Sequence, residues 1–130
     1  MELRIRVSHG ELIDKITILQ IKVERIGNAD KLRNVRRELD VLAKVWAEHV
    51  ESSPRLHALI AGLKDVNEQL WEVEDLLRQK EVEKAFDKDF IELARKVYYT
   101  NDRRAALKRE INELLGSALV EEKDYVDYQS

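Results

Sequence analysis

Apolar residues recur every three or four positions along the middle of the chain, and this spacing constrains the fold more than any other feature. The clearest stretch is Leu56, Leu59, Leu63, Val66, Leu70, Val73 and Leu77. A helix turns about 100° per residue, so these side chains share one face. A second stretch with this spacing runs from Leu32 to His49. The two stretches predict helices that pack antiparallel in the manner of a coiled coil.

Turn and capping signals divide the chain into four main helices. Ser8 and Glu11 have the spacing of a capping box, so the first helix is predicted over residues 9–26. Its apolar residues lie on two sides, which indicates a central position in the bundle, and Asp14 shares one of those sides. Turns at residues 27–30, 52–54 and 86–87 begin the other three helices.

The two ends of the chain have patterns of their own. Residues 1–7 alternate apolar and charged side chains, which predicts a short extended arm. Gly116 is typical of the end of one helix and Ser117 of the N-cap of the next. Together they predict a short final helix over residues 118–125. The sequence therefore predicts one all-α domain over residues 1–130. Its architecture is an antiparallel up-and-down bundle of four main helices with an N-terminal arm and a short C-terminal helix.

Composition excludes several classes of function. Charged residues make up 38% of the chain, but 23 basic and 26 acidic residues nearly balance, so we expect no nucleic-acid partner. The absence of cysteine excludes disulfides, thiolate metal sites and cysteine nucleophiles, and it fits a cytoplasmic location. No apolar run approaches the roughly 18 residues of a membrane span, so none is predicted.

The fourth helix carries a stripe that begins and ends apolar but is polar in its middle. Read every third or fourth residue, the stripe is Phe90, Leu93, Val97, Asn101, Arg104, Lys108, Ile111 and Leu115. An unpaired amide in a dry core costs roughly 2–7 kcal/mol, and an unpaired charge costs more. The three polar residues therefore need partners from another helix, water, a ligand or a second chain.

Other polar residues join this stripe in the predicted bundle. We expect Glu74 to meet Lys108 or Arg104, and Asn67 to face Asn112 or the C-terminal half of the fourth helix. In a ligand site, Lys108, Arg104 and Arg95 would hold an anionic group. The amides of Asn101 and Asn112 and the Tyr98 hydroxyl would orient it. Glu74 would then be the acid or base of an enzyme, although the sequence identifies no catalytic residue. The candidate ligand-binding residues are Lys108, Arg104, Asn101, Asn112, Tyr98, Arg95, Glu74 and Asn67.

Three interpretations of the polar stripe stay open at this point. The residues form a buried network that sets the register of the helices, a pocket for a small molecule, or a surface for a protein partner. Metal and cofactor sites are not predicted, because His9, His49 and His57 are scattered and no Glu-x-x-His pair occurs. Glu72 and Asp75 have the Glu-x-x-Asp spacing of helical nucleotide pyrophosphatases, without the upstream acidic motif of those enzymes.

Three blocks together resemble a family of small bacterial helical proteins of unknown function. They are residues 10–19, 86–102 and 108–112, and the resemblance covers nearly the whole chain. Some members of that family occur as modules beside glycosyltransferase or repeat domains. The resemblance therefore implies an accessory role in cell-surface polysaccharide synthesis, and it carries over no catalytic residue. Residues 12–16 more faintly resemble helical chorismate mutases, which hold a dicarboxylate with arginines and a lysine inside a helical bundle.

The sequence thus predicts a non-catalytic binding or interaction module with a polar interhelical site for an anionic or sugar-like ligand. The alternative is a small helical-bundle enzyme of mutase, lyase or pyrophosphatase type that acts on an anionic metabolite. A protein partner or a homo-oligomer is also expected, because a helix that is apolar on two sides needs extensive cover.

Overall fold

A computed structural model of the protein describes residues 1–119, 121–124 and 126–128. Its four helices are α1 (His9–Arg25), α2 (Ala29–His49), α3 (Pro54–Glu83) and α4 (Lys88–Leu115). No strand occurs in the described residues. The predicted all-α fold is confirmed, and its four main helices are consistent with the predicted bundle. None of these helices is long and apolar enough to cross a membrane.

Each helix begins at a polar residue whose side chain accepts a hydrogen bond from the backbone N–H three positions later. The capping residues are Ser8, Asn28, Ser53 and Asp87. Because the first backbone N–H groups of a helix have no partner within the helix, these caps define where each helix starts. The helix starts predicted from the sequence are confirmed at all four positions.

Helix α1 is central, as predicted, because it packs against each of the other three helices. Its apolar residues Ile13, Ile16, Leu19 and Ile21 are buried within the chain, whereas Leu12, Ile18 and Val23 are half-buried. The core cluster draws on α1, α3 and α4: Ile13, Ile16, Leu56, Leu59, Leu63 and Ile111.

The prediction that α2 and α3 pack together along their length is wrong. The backbone of α2 approaches only α1, and α3 packs instead along α4, which is of similar length at 28 residues against 30. Helix α2 has no buried residue, and Leu39, Leu42 and Trp46 reach only the edge of the core cluster. The longer pair buries more apolar surface than α2 offers, which outweighs the similar spacing of the α2 stripe.

The ends of the chain differ from each other. Residues 1–7 are non-helical and exposed, with the Leu3 side chain pointing into solvent. The predicted C-terminal helix does not form in residues 118–119 and 121–124, whereas position 125 lies outside the described residues. A helix of about eight residues is marginal in water unless it buries an apolar face, and Leu119 is exposed. We call residues 117–119, 121–124 and 126–128 the C-terminal segment.

Candidate functional site

Asp14 of α1 is the partner of Arg104, the middle residue of the polar stripe on α4. Its side chain is only 2% exposed, and it accepts two hydrogen bonds from Arg104, at 2.9 Å from Nε and 2.5 Å from Nη2. The amide of Asn67 donates to Asp14 and to the hydroxyl of Thr17, both at 3.0 Å. The hydrogen bond to Asp14 raises the pKa of Arg104. These groups satisfy one another and join α1, α3 and α4 in one buried network.

Gly10 brings the first turn of α1 against α4. Its backbone N–H donates to the side-chain oxygen of Asn112 at 2.6 Å. A Cβ atom at this position would lie 2.5 Å from the carbonyl oxygen of Lys108, so no side chain fits here. The close approach places Glu11 of α1 beside the polar stripe of α4.

Lys108 lies between two carboxylates. The residue is 7% exposed, and its Nζ donates to Glu11 at 2.9 Å and to Glu121 of the C-terminal segment at 2.8 Å. Burial lowers the pKa of Lys108, but the hydrogen bonds to Glu121 and Glu11 outweigh burial, and the pKa is raised. The same contact lowers the pKa of Glu121. The ammonium group is therefore charged at neutral pH.

The C-terminal segment runs back along α4 and bounds a groove of about 910 Å³. Tyr128 contacts the rings of Tyr98 and Tyr99, with centroids 4.8 and 4.9 Å apart, and its hydroxyl donates to Asp102. The groove is within the size range of small-molecule sites. Its lining from α4 includes Val97, Tyr98, Asn101, Asp102, Ala105, Ala106, Lys108, Arg109 and Asn112, and its lining from the segment includes Glu121, Glu122, Lys123, Val126, Asp127 and Tyr128.

The structure divides the residues predicted from the sequence between two places. Lys108, Asn101, Asn112 and Tyr98 line the groove. Arg104 and Asn67 belong to the buried network around Asp14 instead.

Two other candidates lie outside both places. Arg95 is exposed, pairs with Glu92 and lies over the ring of Tyr99. Glu74 is exposed on α3 and forms no hydrogen bond or ion pair with any described residue. The prediction that Glu74 meets Lys108 or Arg104 is therefore wrong.

The expected contact of Asn67 with Asn112 is also wrong. Asn67 bonds to Asp14 and Thr17, and Asn112 accepts from Gly10, so both amides face α1. The prediction failed because α1 supplies closer partners than α3 and α4 supply to each other.

Sequence reasoning missed the acidic partners of the stripe. Asp14 is the central acceptor of the buried network, and Glu11 and Glu121 pair with Lys108. One signal was present for Asp14, which lies on an apolar side of a central helix and therefore needs a partner there. The sequence around Glu11 indicates only a helix cap, and the sequence around Glu121 indicates only an acidic terminus. Within the described residues, no three His, Cys, Asp or Glu side chains are placed to share a metal ion.

Comparison with known proteins identifies a family but no function. The sequence model of DUF6165, described as a family of unknown function, matches residues 3–130. No curated protein and no solved structure matches the chain.

Proposed function

The chain belongs to DUF6165, a family of unknown function, and we propose from the geometry of the groove that it is a non-catalytic binding module. Its ligand is anionic or sugar-like and binds the α4 wall of the groove. Lys108 is the residue that holds the charged group.

The position of Lys108 carries this proposal. Lys108 is buried but lines the groove, and its ammonium group is held by the carboxylates of Glu11 and Glu121, which are themselves half-exposed. A cation in such a place interacts more strongly with an anion than it would in open water. An incoming carboxylate or phosphate oxygen can take the place of Glu121 and leave the contact with Glu11 intact.

The other lining residues suit a sugar-like ligand. The ring of Tyr98 offers an apolar face with a polar edge, and Asn101 offers an amide that both donates and accepts. Sugars present apolar C–H faces and hydroxyl groups, so an aromatic wall beside an amide matches both. We extend the proposal to an accessory role in bacterial cell-surface polysaccharide synthesis, in the cytoplasm.

The enzyme alternative has less support. Glu74, the residue expected to transfer a proton, is exposed and does not line the groove. Asp14 and Arg104, the most deeply buried ion pair of the described residues, are committed to each other. Binding is therefore the function that the geometry supports best.

Calorimetric titration of the full chain with D-glucuronate, glucose 1-phosphate and D-glucose tests the proposal. We expect the two anionic sugars to bind at least about tenfold more tightly than D-glucose, since only they engage Lys108. Lys108→Met removes this preference. Lys96→Met is the matched control, because it makes the same charge change at an exposed residue of α4 that does not line the groove.

Absence of binding by all three sugars contradicts the proposal, and so does equal binding by the wild-type chain and Lys108→Met. Proton NMR of the same mixtures reports any conversion of the sugar. Conversion that depends on Lys108 would favour the enzyme alternative.

A further inference from the structure

We infer that the C-terminal segment covers the α4 wall of the groove in place of the ligand, with the Glu121 carboxylate where a carboxylate group of the ligand would bind. This inference rests on the proposed function. It adds the chemical class of the ligand, a carboxylate, and a means of regulating the site, because segment and ligand exclude each other.

The segment contacts α4 at Lys108 through Glu121 and, farther along the segment, at Tyr98 through Tyr128. Glu122 pairs with Arg109, one position after Lys108 on α4, at 3.2 Å. The segment therefore runs antiparallel to α4 and covers the same face of the helix that lines the groove. It places the Glu121 carboxylate on Lys108 and the Tyr128 ring on Tyr98, the two residues that a ligand would use.

The segment is held by side chains at the surface. Its described residues are exposed except Ser117, which is half-buried, and none belongs to the core cluster. The Ser117 N–H donates to the carbonyl of Asn112, but the other hydrogen bonds described between segment and α4 join side chains. The pair of Glu122 with Arg109 is exposed and contributes little to stability, and Glu121 itself is 41% exposed, so an external ligand can displace the segment without opening the core.

The charges around Lys108 favour a carboxylate over a phosphate. Glu11 stays on the same ammonium group at 2.9 Å when Glu121 leaves, so the incoming group meets a fixed negative charge nearby. A singly charged carboxylate restores both the hydrogen bond and the net charge that Glu121 supplies, whereas a doubly charged phosphate leaves one additional negative charge beside Glu11. The ligand class is therefore a carboxylate, such as a sugar acid.

Titration of the full chain with D-glucuronate, in parallel with Glu121→Gln, tests the inference. Removing the competing carboxylate should tighten glucuronate binding about tenfold. Glu110→Gln is the matched control, because it removes one carboxylate charge, as Glu121→Gln does. Glu110 lies on α4, pairs with Arg55 and does not line the groove. We expect the affinity of Glu110→Gln for D-glucuronate to stay within about twofold of the wild-type value.

Backbone ¹⁵N relaxation of residues 121–124 and 126–128 supplies the second measurement. Saturating wild-type chain with D-glucuronate should make these residues mobile, and Glu121→Gln should make them more mobile without ligand. If glucuronate binds while the segment stays ordered, or if Glu121→Gln binds it no more tightly, the inference is overturned and the proposed function stands. Failure of both chains to bind glucuronate overturns the inference, and failure of glucose 1-phosphate as well overturns the proposed function.

Discussion

The carboxylate of Asp14 and the guanidinium of Arg104 form a two-point ion pair across the interface of α1 and α4, with N–O distances of 2.9 and 2.5 Å. Asn67 of α3 donates to the same carboxylate. One acidic side chain thus sets the positions of three helices relative to one another. This arrangement is typical of a network that specifies helix register, and it separates the role of Arg104 from that of Lys108.

Asp14→Asn should destabilise the protein strongly. The substitution leaves the half-buried guanidinium of Arg104 without a counterion and disrupts the bond with Asn67. Breaking a buried pair by removing one partner costs about 3–5 kcal/mol. Urea denaturation measures this loss, with Glu24→Gln as control, because Glu24 pairs with Lys64 at the surface and should cost less than about 1 kcal/mol. Equal losses for the two variants would contradict a structural role for Asp14.

Lys108→Met should leave the stability of the chain nearly unchanged. The carboxylates of Glu11 and Glu121 are about half-exposed and recover hydration when the ammonium group is removed, while methionine fills the buried channel of the lysine stem. We expect the free energy of unfolding to change by less than about 1 kcal/mol. Urea denaturation of the wild-type chain and of Lys108→Met measures this change in the free energy of unfolding. A loss as large as that of Asp14→Asn would show that Lys108 serves the core.

Gly10→Ala should destabilise the fold, because its Cβ would lie 2.5 Å from a backbone oxygen of α4. Separation of α1 from α4 at this point should cost about 1–3 kcal/mol. Gly62→Ala is the matched control, since its Cβ would meet only the side chain of Leu107 at 3.6 Å. Alanine is the better helix former by roughly 0.5–1 kcal/mol, so the control should keep or raise the thermal midpoint. A lower midpoint for the control than for Gly10→Ala would contradict this account.

Docking of the C-terminal segment should depend on pH at both ends of the range. The pKa of Glu121 is lowered in the folded chain, so its contribution is present above its ordinary pKa and is lost as the pH falls through the lowered value. The pKa of Lys108 is raised, so its contribution is present below the ordinary lysine range and is lost as the pH rises through the raised value.

NMR order parameters of residues 121–124 should therefore be highest between these two limits and fall in acid and in strong base. Glu121→Gln removes the acid transition, because glutamine does not titrate. A wild-type segment whose order changes in acid no more than that of Glu121→Gln would show that other contacts hold it in place.

Several features of the fold were accessible from the sequence because they depend on neighbours in the chain. Ser8, Asn28 and Ser53 cap helices through hydrogen bonds to residues three positions away, so their residue types and spacing suffice to locate the helix starts. The double apolar face of α1 likewise predicted its central place. The site was only partly accessible, since the sequence identifies Lys108 and Arg104 as residues that need partners but does not identify those partners.

The four helices, their caps and the polar stripe on α4 follow from local patterns, since each depends on residues within a few turns of one another. Which helices are neighbours does not follow from such patterns, and neither does the pairing of Asp14 with Arg104 across 90 positions or of Glu11 with Lys108 across 97. That choice depends on the apolar surface buried by all helices together, which no local pattern contains. The same global balance leaves residues 118–119 and 121–124 without a helix and places Glu121 on Lys108, where the groove is formed.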